Sequence, residues 1–148
     1  HTFLSNSSSS RAGERIAEMG ACNNCHFYGE EKPKQAALTW APNLVLTKER
    51  LRPEWLEEFF INPQEVIPGT KMPAPYIPTE EPQNSVREVW GNDVARISSD
   101  STKLYYGLID WIWGMNGNKD VSSIVKMHIQ SNGYGFIIEE DDWGDDEW

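Results

Sequence analysis

The pentapeptide Cys22-Asn23-Asn24-Cys25-His26 places two thiols and an imidazole within five residues. Positions i, i+3 and i+4 of a helical turn share one face, so the three side chains are predicted to point at one object. This spacing is typical of a c-type haem attachment site. The two thiols can add to the vinyl groups of a haem, and the imidazole can bind its iron.

Other sites built on the same residues are less consistent with the rest of the chain. A zinc site needs about four nitrogen or sulfur ligands, whereas the chain has two cysteines and only His1 and His128 as further histidines. A thioredoxin-type Cys-x-x-Cys is expected near a βαβ pattern, and none is present. A copper site on His1 would need His128 as its partner, and His128 is predicted to be an ordinary surface or core residue. The motif therefore favours haem.

Met72 is the predicted second ligand of the iron. It lies in Pro68-Gly69-Thr70-Lys71-Met72-Pro73, where prolines stiffen the loop and glycine allows a tight turn. Methionine opposite histidine is a common axial pair. The other methionines are predicted elsewhere: Met19 on the buried face of the first helix, and Met115 and Met127 outside the haem pocket.

Five segments, in order and with roughly the right spacing, resemble those of the class I cytochromes c. The resemblance covers about residues 11–76 and 101–114, but neither the segment between them nor the last 34 residues. The segments are Gly13-Glu14-Arg15-Ile16, Ala41-Pro42-Asn43-Leu44, Arg52-Pro53-Glu54-Trp55-Leu56, the Pro68–Pro73 loop and Leu108-Ile109-Asp110-Trp111-Ile112.

This resemblance implies an all-α cytochrome c fold, with three to five short helices wrapped around one covalently bound haem c. Cys22 and Cys25 would hold the haem, and His26 and Met72 would be its axial ligands. The Pro42 carbonyl would accept the N–H of the proximal histidine. The residues expected to support the pocket are Pro42, Asn43, Leu44, Trp55, Phe59 and Pro73.

Composition and periodicity divide the chain into three parts. Residues 1–10 are predicted to be a flexible serine-rich linker, residues 11–114 the cytochrome domain with an insert at about 79–100, and residues 115–148 an extension with an acidic tail. Helices are predicted at 11–21 with Ser10 as its cap, from Pro53 to Asn62-Pro63 after a short turn capped by Thr47, from Asp100 or Ser101 to Gly114, and at 120–130. A further helix of about two turns is predicted within 83–100, with Val86, Val89, Trp90 and Val94 as its apolar residues and Gly91 weakening it. Residues 27–46 are predicted to be loop, and 134–138 a short strand or strap.

Hydrophobic residues make up 39% of the chain and charged residues 24%, which is ordinary for a soluble globular protein. No stretch approaches the ~20 apolar residues of a membrane helix. The net charge is −10, and seven of the 23 acidic residues lie among the last ten. Trp143 and Trp148 stand among those acids, so the tail is either simply solvated or docks a basic partner.

These features together predict electron transfer to redox protein partners, with no nucleic-acid partner. The chain is expected to act as a membrane-tethered carrier or as a subunit of a respiratory or photosynthetic complex. An enzyme or gas sensor with an open haem site is the alternative. Because haem is attached to this motif after export in bacterial members of the family, an extracytoplasmic location is expected. A membrane anchor, if there is one, is expected to lie in a segment outside this chain.

Overall fold

The computed structural model describes residues 7–132, in which the regular structure is helical. No strand occurs within this range, only two isolated β-bridges, so the all-α prediction is confirmed. Five helices have eight residues or more, and three are single turns. The helices are α1 Ser8–Gly20, α2 Thr47–Arg50, α3 Pro53–Ile61, α4 Pro63–Val66, α5 Gln83–Trp90, α6 Asn92–Ala95, α7 Ser101–Trp113 and α8 Ser122–Asn132.

The crossing of α1 over α7 is the central packing contact of the fold. Gly13 and Gly107 meet there, and a Cβ added to Gly13 would lie 1.9 Å from the Gly107 carbonyl oxygen. Only a residue without a side chain permits this approach of two backbones. Around the crossing, Ile16 and Leu108 are almost completely buried.

The first helix was predicted at 11–21, but it runs from Ser8 to Gly20 and so differs at both ends. It begins at Ser8, because the Ser7 hydroxyl caps it by accepting from the Ser10 N–H at 3.0 Å. Residues 8–10 of the predicted linker are thus helical, and Ser10 is a buried helical residue rather than the cap. Met19 was predicted to lie on the buried face, but its side chain is 42% exposed, so that prediction is wrong. Met19 lies about 110° around the helix from the centre of the buried arc.

Helix α3 follows its prediction closely. Pro53 occupies the first turn, where its missing N–H costs nothing. Leu56, Phe59 and Phe60 are buried, and half-buried Trp55 stacks on Phe59 with ring centroids 5.1 Å apart.

The two ends of the segment around α3 differ from expectation. Asn62 ends α3 as predicted, but its side chain also caps the unpredicted α4 by accepting from the Glu65 N–H at 3.3 Å. Thr47 was expected to cap the turn before α3, whereas it is the first residue of α2 and makes no capping bond.

The insert forms two helices, α5 and α6, instead of the one predicted, and they are separated at Gly91, the residue expected to weaken the helix. Val86, Trp90 and Val94 belong to the apolar core, so the insert covers the core of the protein. Val89 was predicted to face inward, but it is 50% exposed. The buried positions recur every four residues from Val86, and Val89 lies off that line.

The predicted helices α7 and α8 are confirmed, with α7 capped by Asp100 and ended at Gly114. Residues 115–119 bind the loop of residues 27–49, so the first part of the predicted extension is packed onto the predicted domain. Within residues 7–132 no helix has both the length and the apolar character of a bilayer span. The predictions for residues 1–6, for the strand at 134–138 and for the acidic tail concern residues outside this range.

Candidate functional site

The Cys-x-x-Cys-His motif forms one tight turn directly after α1. Ala21 adopts the left-handed conformation with φ 53°, and its N–H caps α1 by donating to the carbonyls of Ala17 and Glu18. The Cys22 carbonyl then accepts from the N–H groups of Cys25 at 3.3 Å and His26 at 3.0 Å. These bonds join residues i and i+3 and residues i and i+4, which is the helical spacing predicted for the side chains of Cys22, Cys25 and His26.

The two cysteines are free, half-buried thiols. Burial raises the pKa of the Cys22 thiol, and the nearby Cys25 thiol adds to this rise. Catalytic Cys-x-x-Cys sites of the redox type lower the pKa of a thiol instead. Cys22 is therefore mainly protonated at neutral pH, unlike the nucleophilic thiolate of a redox-type Cys-x-x-Cys site.

His26 is held by the backbone of the loop that follows. Its Nδ1 lies 2.7 Å from the Pro42 carbonyl oxygen, and the Ala41 N–H donates to the Cys25 carbonyl at 2.7 Å. A carbonyl oxygen can only accept, so Nδ1 carries the proton and the lone pair is on Nε2. Burial lowers the pKa of His26, although the Pro42 bond opposes that shift. The neutral imidazole is thus in the tautomer in which Nε2 can bind a metal.

Asn43 holds the loop that carries Pro42. Its side chain is buried, and its Oδ1 accepts from the N–H groups of Gly29 at 3.0 Å and Val45 at 3.2 Å. Its Nδ2 donates to the Asn118 carbonyl at 2.9 Å and to the Lys119 carbonyl at 3.3 Å. Asn43 therefore bridges two segments far apart in sequence, while its support of a haem pocket stays a prediction.

Two aromatic pairs flank the motif. The Trp40 indole N–H donates to the Gln35 carbonyl at 2.9 Å, and its ring lies 4.6 Å from the ring of His128. His128 is thus a packing residue, as predicted. Tyr28 meets Trp111 edge to face at 5.5 Å, and burial raises its pKa. This second pair was missed, because nothing in the sequence links residues 83 positions apart.

The Met72 loop is ordered by its own turn and by the side chain of Gln64. The Thr70 N–H donates to the Ile67 carbonyl at 3.1 Å across Pro68 and Gly69, whose φ of 87° is that of a type II turn. Gln64 accepts from the Gly69 N–H at 3.3 Å and donates to the Thr70 carbonyl. The predicted stiff loop is therefore present.

Cys22, Trp55 and Met72 all pack against the same apolar cluster, which includes Phe59. By contrast, Met19 and Met127 are 42% and 66% exposed. Of the remaining predicted support residues, Leu44 is half-buried, and the side chains of Pro42 and Pro73 are exposed. These prolines contribute through the backbone, Pro42 as an acceptor and Pro73 as a restraint beside Met72.

The donor set is compatible with a covalently held haem. It combines two thiols, an imidazole with Nε2 available, and a thioether on the same apolar cluster as Cys22. Within residues 7–132, no three His, Cys, Asp or Glu side chains form a cluster that could hold a metal ion. No protein-family model, curated protein or solved structure matches this chain.

Proposed function

We propose that this chain is a monohaem c-type cytochrome of the class I fold and that it transfers electrons. The observation that carries the proposal is the 2.7 Å bond from His26 Nδ1 to the Pro42 oxygen, on the same turn as Cys22 and Cys25. This bond fixes the orientation of the His26 imidazole. A metal-binding histidine normally donates its other N–H to such a partner.

Each ligand has a separate task in this proposal. Cys22 and Cys25 would anchor the porphyrin through thioether bonds, and His26 Nε2 and the Met72 sulfur would be the axial ligands. When bound, the haem supplies an iron centre that takes up and releases one electron, at a potential that methionine ligation raises.

The chain's contribution is to keep both axial ligands in place in either oxidation state. His26 is fixed by Pro42, and the Met72 loop is fixed by its turn and by Gln64. Because the protein holds both proposed ligands in place, they would move little when the charge of the site changes. Trp55 and Phe59 provide an apolar, stacked wall against the same cluster.

We propose redox proteins as partners, at the outer face of a membrane or in a bacterial periplasm. The chain would act as a tethered carrier or as a subunit of a respiratory or photosynthetic complex. An additional helical insert and an acidic, tryptophan-bearing tail favour a subunit over a freely diffusing carrier. The tail would dock a basic partner.

The covalent attachment can be tested by extraction into acidified organic solvent. The parent protein should retain its haem in the protein fraction, whereas the double variant Cys22→Ser/Cys25→Ser should release it. In a separate comparison of absorption spectra, His26→Ala should differ from the parent because it loses a proposed ligand of the iron. His128→Ala, which also removes an imidazole, should keep the parent spectrum. Extraction of free haem from the parent, or isolation of the parent without any haem, would refute the proposal.

A further inference from the structure

Residues 115–119, here called the strap, run from the end of α7 along the loop that carries His26 and Pro42. Lys48 Nζ donates to the Met115 carbonyl at 3.3 Å, and Asn118 Nδ2 donates to Glu30 Oε1 at 2.9 Å. Lys119 forms an ion pair with Glu49. The strap therefore binds both this loop and α2, through side chains and backbone at several positions.

The backbones of strap and loop also approach closely at Gly117 and Gly29. A Cβ added to Gly117 would lie 3.3 Å from the Gly29 Cα and 3.6 Å from Val45 Cγ2. Gly117 has φ 149°, which side-chain-bearing residues rarely adopt. An alanine at this position would press on Gly29 and would also have to adopt an unfavourable φ, so it should loosen the strap from the loop.

Asn43 connects the strap to the His26 hydrogen bond. Its Nδ2 donates to the carbonyls of Asn118 and Lys119, at 2.9 and 3.3 Å. The Pro42 carbonyl that accepts from His26 belongs to the peptide unit that ends at the Asn43 nitrogen, and a peptide unit is planar. The position of Asn43 therefore sets the direction of the Pro42 carbonyl.

We propose that the strap is a positioning element for the proximal ligand. Through Asn43 it holds the Pro42 oxygen on His26 Nδ1 and thereby keeps the imidazole a strong donor to the iron. This inference rests on the proposed function for its effect on the iron, but the hydrogen bond itself belongs to the protein. A strong donor favours oxidised iron, so a loosened strap should raise the reduction potential.

The main test is Gly117→Ala, with Gly91→Ala as the matched control. Both glycines have positive φ, but a Cβ at Gly91 meets nothing within 4 Å. We expect the His26 Nδ1–H of reduced Gly117→Ala to exchange with solvent about tenfold faster, by NMR, than in the parent. The equilibrium with a redox mediator should shift about tenfold toward the reduced form, or roughly 59 mV. Gly91→Ala should change neither.

A milder second variant covers the case in which Gly117→Ala fails to fold. Asn118→Ala removes the bond to Glu30 but keeps the carbonyl that binds Asn43, and it should give smaller shifts in the same directions. Parental exchange and potential in a folded strap variant would overturn the inference.

Failure of the proposed function can be told apart from failure of the strap. If the purified protein holds no haem, the proposed function fails, yet His26 proton exchange can still be compared in the parent and the strap variants. Faster exchange only in the strap variants supports the strap, and equal exchange in all of them refutes it.

Discussion

Replacement of Gly13 by alanine tests the packing on which the fold depends. The new Cβ would lie 1.9 Å from the Gly107 oxygen, 2.4 Å from the Gly107 carbonyl carbon and 2.7 Å from the Leu108 Cα. All three atoms are backbone, so no side chain can turn away and α1 must move off α7. Gly20→Ala is the matched control, because it lies on the same helix and its Cβ would meet nothing within 4 Å.

The expected magnitude follows from two opposing effects. Overpacking of a core costs about 1–3 kcal/mol, and occasionally more. A clash with rigid backbone belongs at the upper end of that range. Alanine in place of a helical glycine recovers about 1 kcal/mol. The net loss for Gly13→Ala should therefore be about 2 kcal/mol or more, which lowers Tm by roughly 4–8 °C in a protein of this size.

The assay is chemical and thermal unfolding followed by far-ultraviolet circular dichroism, on the protein in the form in which it is purified. Gly20→Ala should be as stable as the parent or slightly more so, because it has the propensity gain without the clash. The reasoning about the α1–α7 crossing would be wrong if Gly13→Ala and Gly20→Ala unfolded at the same temperature.

Three further predictions concern the proposed distal ligand, a helix cap and a carboxylate. Met72→Ala should make the reduced protein bind carbon monoxide readily and should remove the near-infrared sulfur-to-iron band of the oxidised form; equally rapid binding by the parent would favour the open-site sensor or enzyme. Asp100→Ala removes the acceptor for the Lys103 N–H and should cost about 1 kcal/mol in unfolding experiments, while Asp100→Asn should cost little; equal losses in the two variants would contradict a capping role. Hydrogen bonds from the Ser122 hydroxyl and N–H hold the pKa of Asp120 below its ordinary value of 3.8. Their contribution to stability should be complete above that pH and lost as the pH falls through the lower folded value. NMR titration of the Ser122 amide checks this, and a midpoint at or above 3.8 would contradict it.

The local features of this protein could be read from its sequence because each depends on neighbouring residues. The turn at Cys22 to His26, the start of α3 at Pro53 and the break at Gly91 follow from spacing and backbone preference alone. The stiff loop before Met72 belongs with them, since Pro68 and Gly69 specify its turn.

Errors arose where burial depends on the partner that a helix meets. Met19 and Val89 follow an apolar pattern, yet they are 42% and 50% exposed, since each lies at the edge of the face that the neighbouring helices cover. Similarly, Ser8 to Ser10 were predicted to be linker, because local composition reveals neither the cap at Ser7 nor the close approach of Gly107 to Ser9.

The sequence by itself determined the candidate groups: two thiols, an imidazole and a thioether in helical and turn segments of an all-α chain. The resemblance to the class I cytochromes c already implied that the Pro42 oxygen accepts from His26, as it does. Only the tertiary structure decided what holds Pro42 in place, because the strap carbonyls are 75 and 76 residues from Asn43. No local rule specifies such contacts. They form because the packing of α1 against α7 returns the end of α7 to the loop that follows α1, and backbone groups buried there must find partners.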